Sequence, residues 1–331
     1  MPPAVRRPFA STLLGSCALA LVLTGSALAE AGFTPVEPRS PNADAINDAY
    51  NWVTIFTAAI FLLVQGALLL FIIRYRRRRR LRTEDGAQVH GNTNLELAWT
   101  VAPVLILVAI GSFVFWKLPS IQNVPAASAA GGRVDVEVSG YRYYWNFEYP
   151  NGVVSVDRLR APVDQTVRLE ITAPEFEVIH SWWIPALGGK FDAIPGVVNE
   201  SWFRATAPGT YRGQCAEFCG TQHAAMTASV EALPREEFES WLDEEAEAQE
   251  AGTSELGRET YLGACAKCHG LAGEGDIGPA LAGNAVVQDA ERVETVVRNG
   301  GDQMPPVGRD WGERQMSALT DFLAEGGLDG Q

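Results

Sequence analysis

Two long apolar runs dominate the first third of the sequence. Residues 51–73 carry no charged side chain, and neither do residues 97–116. Each run is close to the roughly 20 residues that a helix needs to cross a bilayer. A buried core helix is the alternative, but uncharged runs of this length are uncommon in soluble domains. The pattern therefore predicts a two-helix transmembrane hairpin within residues 30–120, with helices at about 51–73 and 97–118.

The short connection between these runs is strongly basic. Its arginines are Arg74, Arg76, Arg77, Arg78, Arg79, Arg80 and Arg82. Arginines that flank membrane helices stay in the cytoplasm, so both ends of the hairpin are expected on the outer side. A nucleic-acid patch is the alternative for such a run. Its position against a helix end and the net charge of −14 argue against nucleic acid as a partner.

The N-terminus has the plan of an export signal. Arg6 and Arg7 precede an apolar stretch that ends in small residues at 27–29. This order predicts a signal peptide over residues 1–29, cleaved before Glu30. The alternative is lipidation at Cys17, which follows Leu-Gly-Ser, but the apolar stretch continues well past that cysteine.

From residue 133 to about 233 the apolar pattern changes to a period of two. Val134, Val136 and Val138 alternate with polar residues, and so do Val167 and Leu169. Proline and glycine separate such segments. This pattern predicts short antiparallel strands in a sandwich or barrel over residues 130–234.

The same region contains a dense set of soft metal ligands. Cys215, Cys219, His223 and Met226 fall within twelve residues, and His180 lies upstream. Thiolates, imidazoles and a thioether are ligands that copper prefers. Two cysteines four positions apart can bridge two copper ions, each completed by one histidine. The weak axial ligands would be Met226 and a backbone carbonyl, that of Glu217.

Such a centre leaves no position for a substrate, which favours electron transfer. A disulfide is the ordinary alternative for an exported cysteine pair. The stretch from His180 to Met226, including Gly189–Gly196, resembles the binuclear copper (CuA) domain of subunit II of haem–copper cytochrome c oxidases. The resemblance implies a cupredoxin-like Greek-key barrel. It also implies that the Glu217 carboxylate binds magnesium at the border with subunit I, near Asp192. Many relatives have a basic residue where this chain has Val197.

Two further roles are implied by the same resemblance. In the family, an aromatic segment corresponding to residues 141–149 accepts the electron from external cytochrome c, at a position that is usually tryptophan. Alignment on Gly140 and Trp145 places Tyr143 there instead, which departs from the family pattern. Glu96, in Leu-Glu-Leu-Ala-Trp-Thr, matches a glutamate at the mouth of a proton-uptake path. An interfacial carboxylate without a special role is the alternative for Glu96.

Residues 235–254 form an acidic segment, which could be a short helix or a solvated linker. The sequence Cys265-Ala-Lys-Cys268-His269 follows it. This is the c-type haem attachment motif. A redox disulfide or half of a zinc site is the alternative for a bare cysteine pair, but the following histidine favours haem. Met304, beside two prolines, is the expected sixth ligand, whereas Met316 falls in a helical pattern and is expected to pack in a core. Such His/Met ligation raises the reduction potential and leaves no site for dioxygen.

The whole chain thus predicts a multidomain membrane protein: a transmembrane α-helical hairpin, an all-β cupredoxin-like Greek-key barrel and a small all-α cytochrome c domain over residues 255–331. This order resembles subunit II of a c-fused (caa-type) oxidase of a bacterial inner membrane, with the copper and cytochrome domains on the periplasmic side. The resemblance implies oxidase subunits I and III as partners. Electrons would pass from a cytochrome bc complex or a small cytochrome c, through haem c and the dinuclear copper, to haem a in subunit I. There dioxygen would be reduced to water and protons pumped.

Several other functions share parts of this plan. A CuA-containing nitric oxide reductase has a membrane-anchored small subunit. Nitrous oxide reductase uses the same copper domain, but behind a large soluble domain instead of a hairpin. A free-standing membrane electron carrier or a copper-delivery protein would need no catalytic partner.

Overall fold

The structure is a computed structural model that describes residues 35–75, 88, 90–126, 132–301 and 303–328. The predicted signal peptide with Cys17, and the arginines from Arg76 to Arg82, lie outside the described residues. One compact unit, Pro38–Gln331, contains all of the elements described below.

Two helices, α1 (Pro41–Tyr75) and α2 (Thr93–Gln122), form the hairpin. Both are long and apolar enough to cross a membrane by length and composition. They pack together through Trp52, which stacks on Phe113 with ring centroids 5.1 Å apart. Each helix extends beyond its predicted span. The additional first turns of α1 are polar, so hydrophobicity alone could not reveal them.

The first turn of α1 is anchored in the β domain. Asn42 is 1% exposed, and its side-chain amide donates to the carbonyl of Trp202 over 2.6 Å. Gly188 leaves room for this contact, because a Cβ there would lie 2.8 Å from the Asn42 amide nitrogen. At the same end of the hairpin, the indole N–H of Trp202 donates to the carbonyl of Ile121, at the end of α2. The hairpin therefore has fixed contacts with the domain that follows it.

The β domain consists of two main sheets and a short two-stranded ribbon. The strands are β1 Arg133–Tyr141, β2 Tyr144–Glu148, β3 Val154–Val156, β4 Arg158–Pro162, β5 Thr166–Thr172, β6 His180–Trp182, β7 Phe191–Ala193, β8 Asn199–Phe203, β9 Gly209–Gln214 and β10 Thr227–Leu233. The sheet orders are β3-β2-β1-β5-β8, β4-β10-β9 and β6-β7. The predicted alternation points inward: Val136, Val138, Val167, Leu169 and Ile171 are each at most 1% exposed.

The prediction of antiparallel strands was incomplete. β1 pairs with β5 in parallel, with Val136 opposite Leu169, and β10 pairs with β4 in parallel. The remaining strand pairs are antiparallel. Alternation predicts which face of a strand is buried but not which strand lies beside it, since that choice depends on connections across the domain.

The acidic segment forms a packed helix, α3 (Arg235–Ala251), which confirms the first of the two predicted alternatives and contradicts the solvated linker. Phe238 on its apolar face is 3% exposed and belongs to the core of the β domain. Trp241 packs edge-to-face on Tyr149, and Arg160 lies over its ring. The segment contains so many acidic residues that its few buried apolar residues are not apparent from the composition.

The C-terminal domain is α-helical. It contains α4 (Leu256–Thr260), a π-helical turn (Tyr261–Cys265), α5 (Ala266–His269), a short 3-10 turn (Ala285–Gln288), α6 (Ala290–Asn299) and α7 (Glu313–Ala324). α4 crosses α7 closely at Gly257, where a Cβ would lie 2.1 Å from the carbonyl oxygen of Ala318. Leu319 and Leu323 of α7 are buried in the core beneath this crossing.

The helical domain shares an apolar cluster with the β domain. Tyr141, Tyr144 and Val156 from the strands pack with Tyr261 and Trp311 from the helices. The Tyr144 hydroxyl donates to the carbonyl of Val307 and accepts from the indole N–H of Trp311, each over 2.7 Å. The two domains are therefore packed together.

We expect Tyr144→Phe to lower the unfolding free energy of the C-terminal domain by about 1–3 kcal/mol, because it leaves a buried indole N–H without its acceptor. Urea unfolding followed by near-ultraviolet circular dichroism measures this loss. Tyr261→Phe is the matched control. Its hydroxyl donates to Gly270 within the C-terminal domain, so this change leaves the contact between domains in place. Equal urea midpoints for Tyr144→Phe and the parent would contradict the assignment.

Candidate functional site

The soft ligands converge at one end of the β domain. His180 begins β6, Cys215 directly follows β9, and Met226 directly precedes β10. The Cys215 N–H donates to the Met226 carbonyl over 2.9 Å, which closes the loop between these strands. The Ala216 N–H donates to the Ser181 carbonyl and joins this loop to β6. The strand framework thus fixes the positions from which the ligands project.

The distances pair the ligands in two sets. His180 Nδ1 lies 4.0 Å from Cys215 Sγ, and the Glu217 carbonyl oxygen lies 3.2 Å from the same sulfur. His223 Nδ1 lies 3.5 Å from Cys219 Sγ, and Met226 Sδ lies 3.8 Å from that sulfur. The ligand atoms of His180, Cys215 and Cys219 all lie within 4.8 Å of one another. These separations suit ligand atoms that are arranged around a metal.

Both cysteines of this cluster are free and buried. The hydrogen bond with Cys219 lowers the pKa of the Cys215 thiol, and the same bond raises the pKa of Cys219. A metal that binds both sulfurs displaces any proton that they carry, since the thiolate is the ligand form. The donor set fits a pair of soft or borderline cations.

His180 is enclosed by residues that sequence reasoning did not identify. Its ring packs over Gly140, where a Cβ would lie 3.1 Å from the imidazole. Its Nε2 faces the Glu177 carboxylate at 3.9 Å, and that carboxylate accepts from Arg142 Nε over 2.8 Å. The Glu177 side chain is 1% exposed. Glu177 lies in a turn three residues before His180, where no helical spacing brings the two side chains together, so the sequence offered no signal for this contact.

The two aromatic residues of the predicted electron-accepting segment lie in different environments. Trp145 is fully buried and packs edge-to-face on Trp182, with its ring centroid 6.1 Å from that of His180. Tyr143 is half-buried beside the loop of residues 215–226, the candidate copper-ligand loop, and its hydroxyl lies 3.2 Å from Thr221 Oγ1. Gly220 permits this approach, because a Cβ there would lie 2.5 Å from the Tyr143 hydroxyl.

The haem motif lies on the π-helical turn and α5. Cys265 and Cys268 are free thiols, and His269 is 8% exposed. His269 Nδ1 lies 2.8 Å from the Pro279 carbonyl, so it carries the proton and leaves Nε2 as the free ligand nitrogen. Gly278 lets this loop pass the ring, since a Cβ there would lie 2.7 Å from it. The free thiols and the oriented histidine fit covalent attachment of a haem.

The two C-terminal methionines differ in their surroundings. Met304 is half-buried and packs at the margin of the apolar cluster of the helical domain. Its carbonyl accepts from the Gly301 N–H over 2.8 Å, which holds its loop in a tight turn. Met316 is 3% exposed within the core of that domain.

The carboxylates expected at a magnesium site share a cation of the chain itself. Lys190 Nζ lies 3.7 Å from Glu217 Oε2 and 3.6 Å from Asp192 Oδ1. All three side chains are roughly half exposed. Glu217 therefore presents its backbone carbonyl to Cys215 and its carboxylate to the surface. Lys190 lies in the quoted Gly189–Gly196 motif, but its role was not identified from sequence.

Glu96 lies in the first turn of α2 and contributes to its N-terminal cap. Its carboxylate accepts from the Asn92 N–H over 3.2 Å, while the Asn92 side chain accepts from Leu95 N–H. Two backbone N–H groups are satisfied by this reciprocal arrangement.

Two helices of membrane length, a cupredoxin-like β domain with a buried cysteine–histidine cluster, and a helical domain with a haem motif define a membrane-anchored electron-transfer subunit. The sequence matches the family described as cytochrome C oxidase subunit II, periplasmic domain, over residues 152–233. It matches the transmembrane domain of the same subunit over residues 30–116. Residues 253–323 match a family described as cytochrome C oxidase, cbb3-type, subunit III, which supports a cytochrome c domain.

Similar proteins bear this out along nearly the whole chain. Cytochrome c oxidase subunit 2 of Alkalihalophilus pseudofirmus is 34% identical over 95% of this chain and 96% of its own length. The subunit of Cereibacter sphaeroides is 32% identical over 68% of this chain and 82% of its own length. A solved structure of the periplasmic domain of subunit II (CoxB) of Bradyrhizobium japonicum is 30% identical and covers 38% of this chain and 97% of its own, with a TM-score of 0.34.

The chain belongs to the cytochrome c oxidase subunit II family, in a form that carries a C-terminal cytochrome c domain. It is the electron-transfer component of a haem–copper terminal oxidase, which implies the other oxidase subunits as its partners. Its two domain types imply copper and haem as cofactors.

Proposed function

We propose that this chain delivers electrons to subunit I of a proton-pumping cytochrome c oxidase, from an external donor by way of a covalent haem c and a dinuclear copper centre. The observation that carries the proposal is the paired arrangement of sulfur and nitrogen atoms at Cys215, Cys219, His180 and His223. When bound, two copper ions supply a one-electron redox centre there. The protein contributes a buried, strand-anchored ligand set that changes little in geometry between oxidation states.

The ligand assignments are specific. Cys215, Cys219, His180 and His223 would hold the two copper ions, with the histidines binding through Nδ1. Met226 and the carbonyl of Glu217 would be weaker ligands. His180, Cys215, Cys219 and Met226 are buried, which limits contact of the centre with water, while His223 lies half-buried at its edge. Fixed ligands reduce the rearrangement that accompanies each electron transfer, which suits a centre that relays electrons.

An optical and electron paramagnetic resonance spectrum of the purified complex, with metal and haem analysis, tests this function. A delocalised two-copper signal together with haem c and haem a supports an oxidase. The same signals with haem b and non-haem iron would instead identify a nitric oxide reductase. Absence of the two-copper signal would overturn the copper assignment.

In the C-terminal domain, Cys265 and Cys268 would form the thioether bonds to haem, with His269 and Met304 as axial ligands. The bond from His269 Nδ1–H to Pro279 fixes the ring orientation and increases the basicity of Nε2. Met304 is favoured over Met316 because Met316 is already buried among core side chains.

We expect Met304→His to lower the reduction potential of the haem by on the order of 0.1 V, because replacement of an axial thioether removes the ligand that raises it. A spectroelectrochemical titration at the haem absorption band measures the shift. Met316→Leu is the control and should leave the potential unchanged. A shift in the control and none in Met304→His would exchange the roles of the two methionines.

Three further assignments complete the proposal. Glu217, supported by Asp192 nearby, would contribute to a magnesium site at the border with subunit I, where the Lys190 ammonium lies 3.7 Å from the Glu217 carboxylate and 3.6 Å from that of Asp192. Glu96 would stand at the mouth of a proton-uptake path, in addition to its cap of α2. The hairpin would lie in the bacterial inner membrane, with the copper and cytochrome c domains on the periplasmic side and subunits I and III alongside.

The physiological donor would be a cytochrome bc complex or a small cytochrome c. From Glu255 onward the chain has more acidic than basic residues. Opposite charges on the two partners accelerate encounter, so this surface favours a donor with a basic patch.

A further inference from the structure

Lys267, an interior residue of the haem motif, contacts the copper-binding domain at two atoms. Its ammonium donates to the Tyr143 carbonyl over 2.7 Å and to Asp157 Oδ2 over 2.6 Å. Its own carbonyl accepts from the Gln222 side-chain amide over 3.0 Å. Gln222 directly precedes the copper ligand His223, and Lys267 directly precedes the haem cysteine Cys268. The two cofactor-binding segments are therefore joined by one hydrogen bond between neighbours of their ligands.

The position and the backbone conformation of Asp157 favour its contact with Lys267. Its other carboxylate oxygen accepts from the Trp145 N–H over 2.8 Å, and its backbone adopts a φ of 57°. Only a few residue types, aspartate and asparagine among them, adopt such a φ at low cost. Burial raises the pKa of the Asp157 carboxyl, and the Lys267 ammonium opposes that rise. The side chains of Lys267 and Asp157 are 15% and 24% exposed, so their attraction is only partly screened by water.

The haem-motif turn fits closely against the same strands. A Cβ at Gly263 would lie 2.3 Å from the Val156 side chain, so glycine allows the turn to approach the residue before Asp157. The segment that holds Cys265 and Cys268 thus packs closely against β3, which ends immediately before Asp157.

We propose that Lys267 and Gln222 are positioning residues for the internal electron transfer, with Lys267 docking the haem segment on the copper domain and Gln222 coupling it to the copper-ligand loop. The inference rests on the proposed function and adds the route within it. Electrons tunnel more readily through covalent and hydrogen bonds than across a gap. The path from Cys268 through the Lys267 carbonyl and Gln222 to His223 contains one hydrogen bond and otherwise only covalent bonds.

The test uses the full oxidase complex, with haem c reduced by a flash-excited ruthenium complex and copper reduction followed optically. Lys267→Met removes a charged hydrogen-bond donor and should slow haem-to-copper transfer by about tenfold or more. Gln222→Leu removes a neutral donor at similar volume and should slow it by roughly threefold to tenfold. The reduction potentials and spectra of both centres should stay unchanged, which separates positioning from damage to the ligands.

Two further variants test whether the effect comes from the contact between Lys267 and the copper-binding domain. Asp157→Asn in the Lys267→Met background removes the buried carboxylate left unpaired and should recover part of the rate. Arg314→Met is the matched control, because Arg314 also donates to a backbone carbonyl of the β domain, that of Gly152, but away from the haem motif. It should leave the rate within about twofold, because the charged hydrogen bond that it removes lies outside the segments that hold Cys268 and His223.

Unchanged rates in both Lys267→Met and Gln222→Leu would overturn the inference, and so would equal slowing by Arg314→Met. If Lys267→Met fails to incorporate haem, Gln222→Leu decides, since it leaves the haem motif intact. A parent complex without the two-copper or haem c signal would refute the proposed function itself. A parent with both signals and rates insensitive to these variants would refute only the route.

Discussion

Cys219→Ser is expected to abolish the two-copper signal and leave the haem c spectrum intact. Cys219 Sγ lies 3.5 Å from His223 Nδ1 and 3.8 Å from Met226 Sδ, so it is the sulfur nearest to one entire half of the ligand set. A serine hydroxyl is a hard, weakly acidic donor and does not replace a bridging thiolate for copper. Electron delivery to subunit I should fall to background.

The measurement is electron paramagnetic resonance and copper analysis of the purified complex. Because the haem motif belongs to the helical domain, its absorption spectrum reports whether that domain has folded and bound haem. Ser181→Ala is a suitable control, since this buried residue adjoins His180 but offers no ligand in the proposed set. It should retain both coppers. An unchanged copper spectrum in Cys219→Ser would refute the ligand set.

Deletion of the C-terminal domain is expected to reduce oxidation of soluble cytochrome c by at least about tenfold, because a tethered donor acts at roughly millimolar effective concentration or above. In the structure that donor is packed on the β domain, which increases the advantage further. Tyr143 lies under this contact, with its carbonyl bonded to Lys267. We therefore expect the fused haem to take the place of an external docking step at Tyr143.

The structure determines where to cut the chain. A chain that ends after Pro234 would lose Phe238, which belongs to the core of the β domain. Truncation after Gly252 retains α3 and is the better variant. A full-length chain with Cys265→Ser and Cys268→Ser provides the second arm, since it lacks covalent haem but keeps Lys267, which contacts Tyr143. Oxygen consumption with soluble cytochrome c measures both. Parent-like rates in the truncated complex, with its copper signal intact, would contradict the proposal.

Much of the architecture was predictable from the sequence because the relevant signals are local. Hydropathy identified both membrane-length helices, and alternation identified inward residues such as Val138 and Ile171. The ligand candidates were also readable, since Cys215, Cys219, His223 and Met226 are close in sequence and of unusual chemical type. Because these four residues lie in one short loop, their spacing along the chain keeps their side chains close together in the fold.

Other features depend on which distant segments meet. The parallel pairing of β1 with β5, the anchoring of α1 by Asn42, and the packing of α3 through Phe238 have no distinctive local pattern. In each case a few side chains contact residues far away in sequence, and the surrounding composition suggests a different environment. The acidic composition of α3, for example, is typical of a solvated segment although one of its faces is buried.

By itself, the sequence determined the order of the hairpin, the strand-rich region and the haem motif. It also determined which residues are candidate metal ligands. Both were readable because the hydrophobic period and the types of ligand residue are properties of neighbouring positions. Only the tertiary structure decided that Lys267 meets Asp157 and that Gln222 meets the haem motif. These contacts join residues from separate domains, and their partners are fixed by how two folded surfaces complement each other rather than by any spacing along the chain.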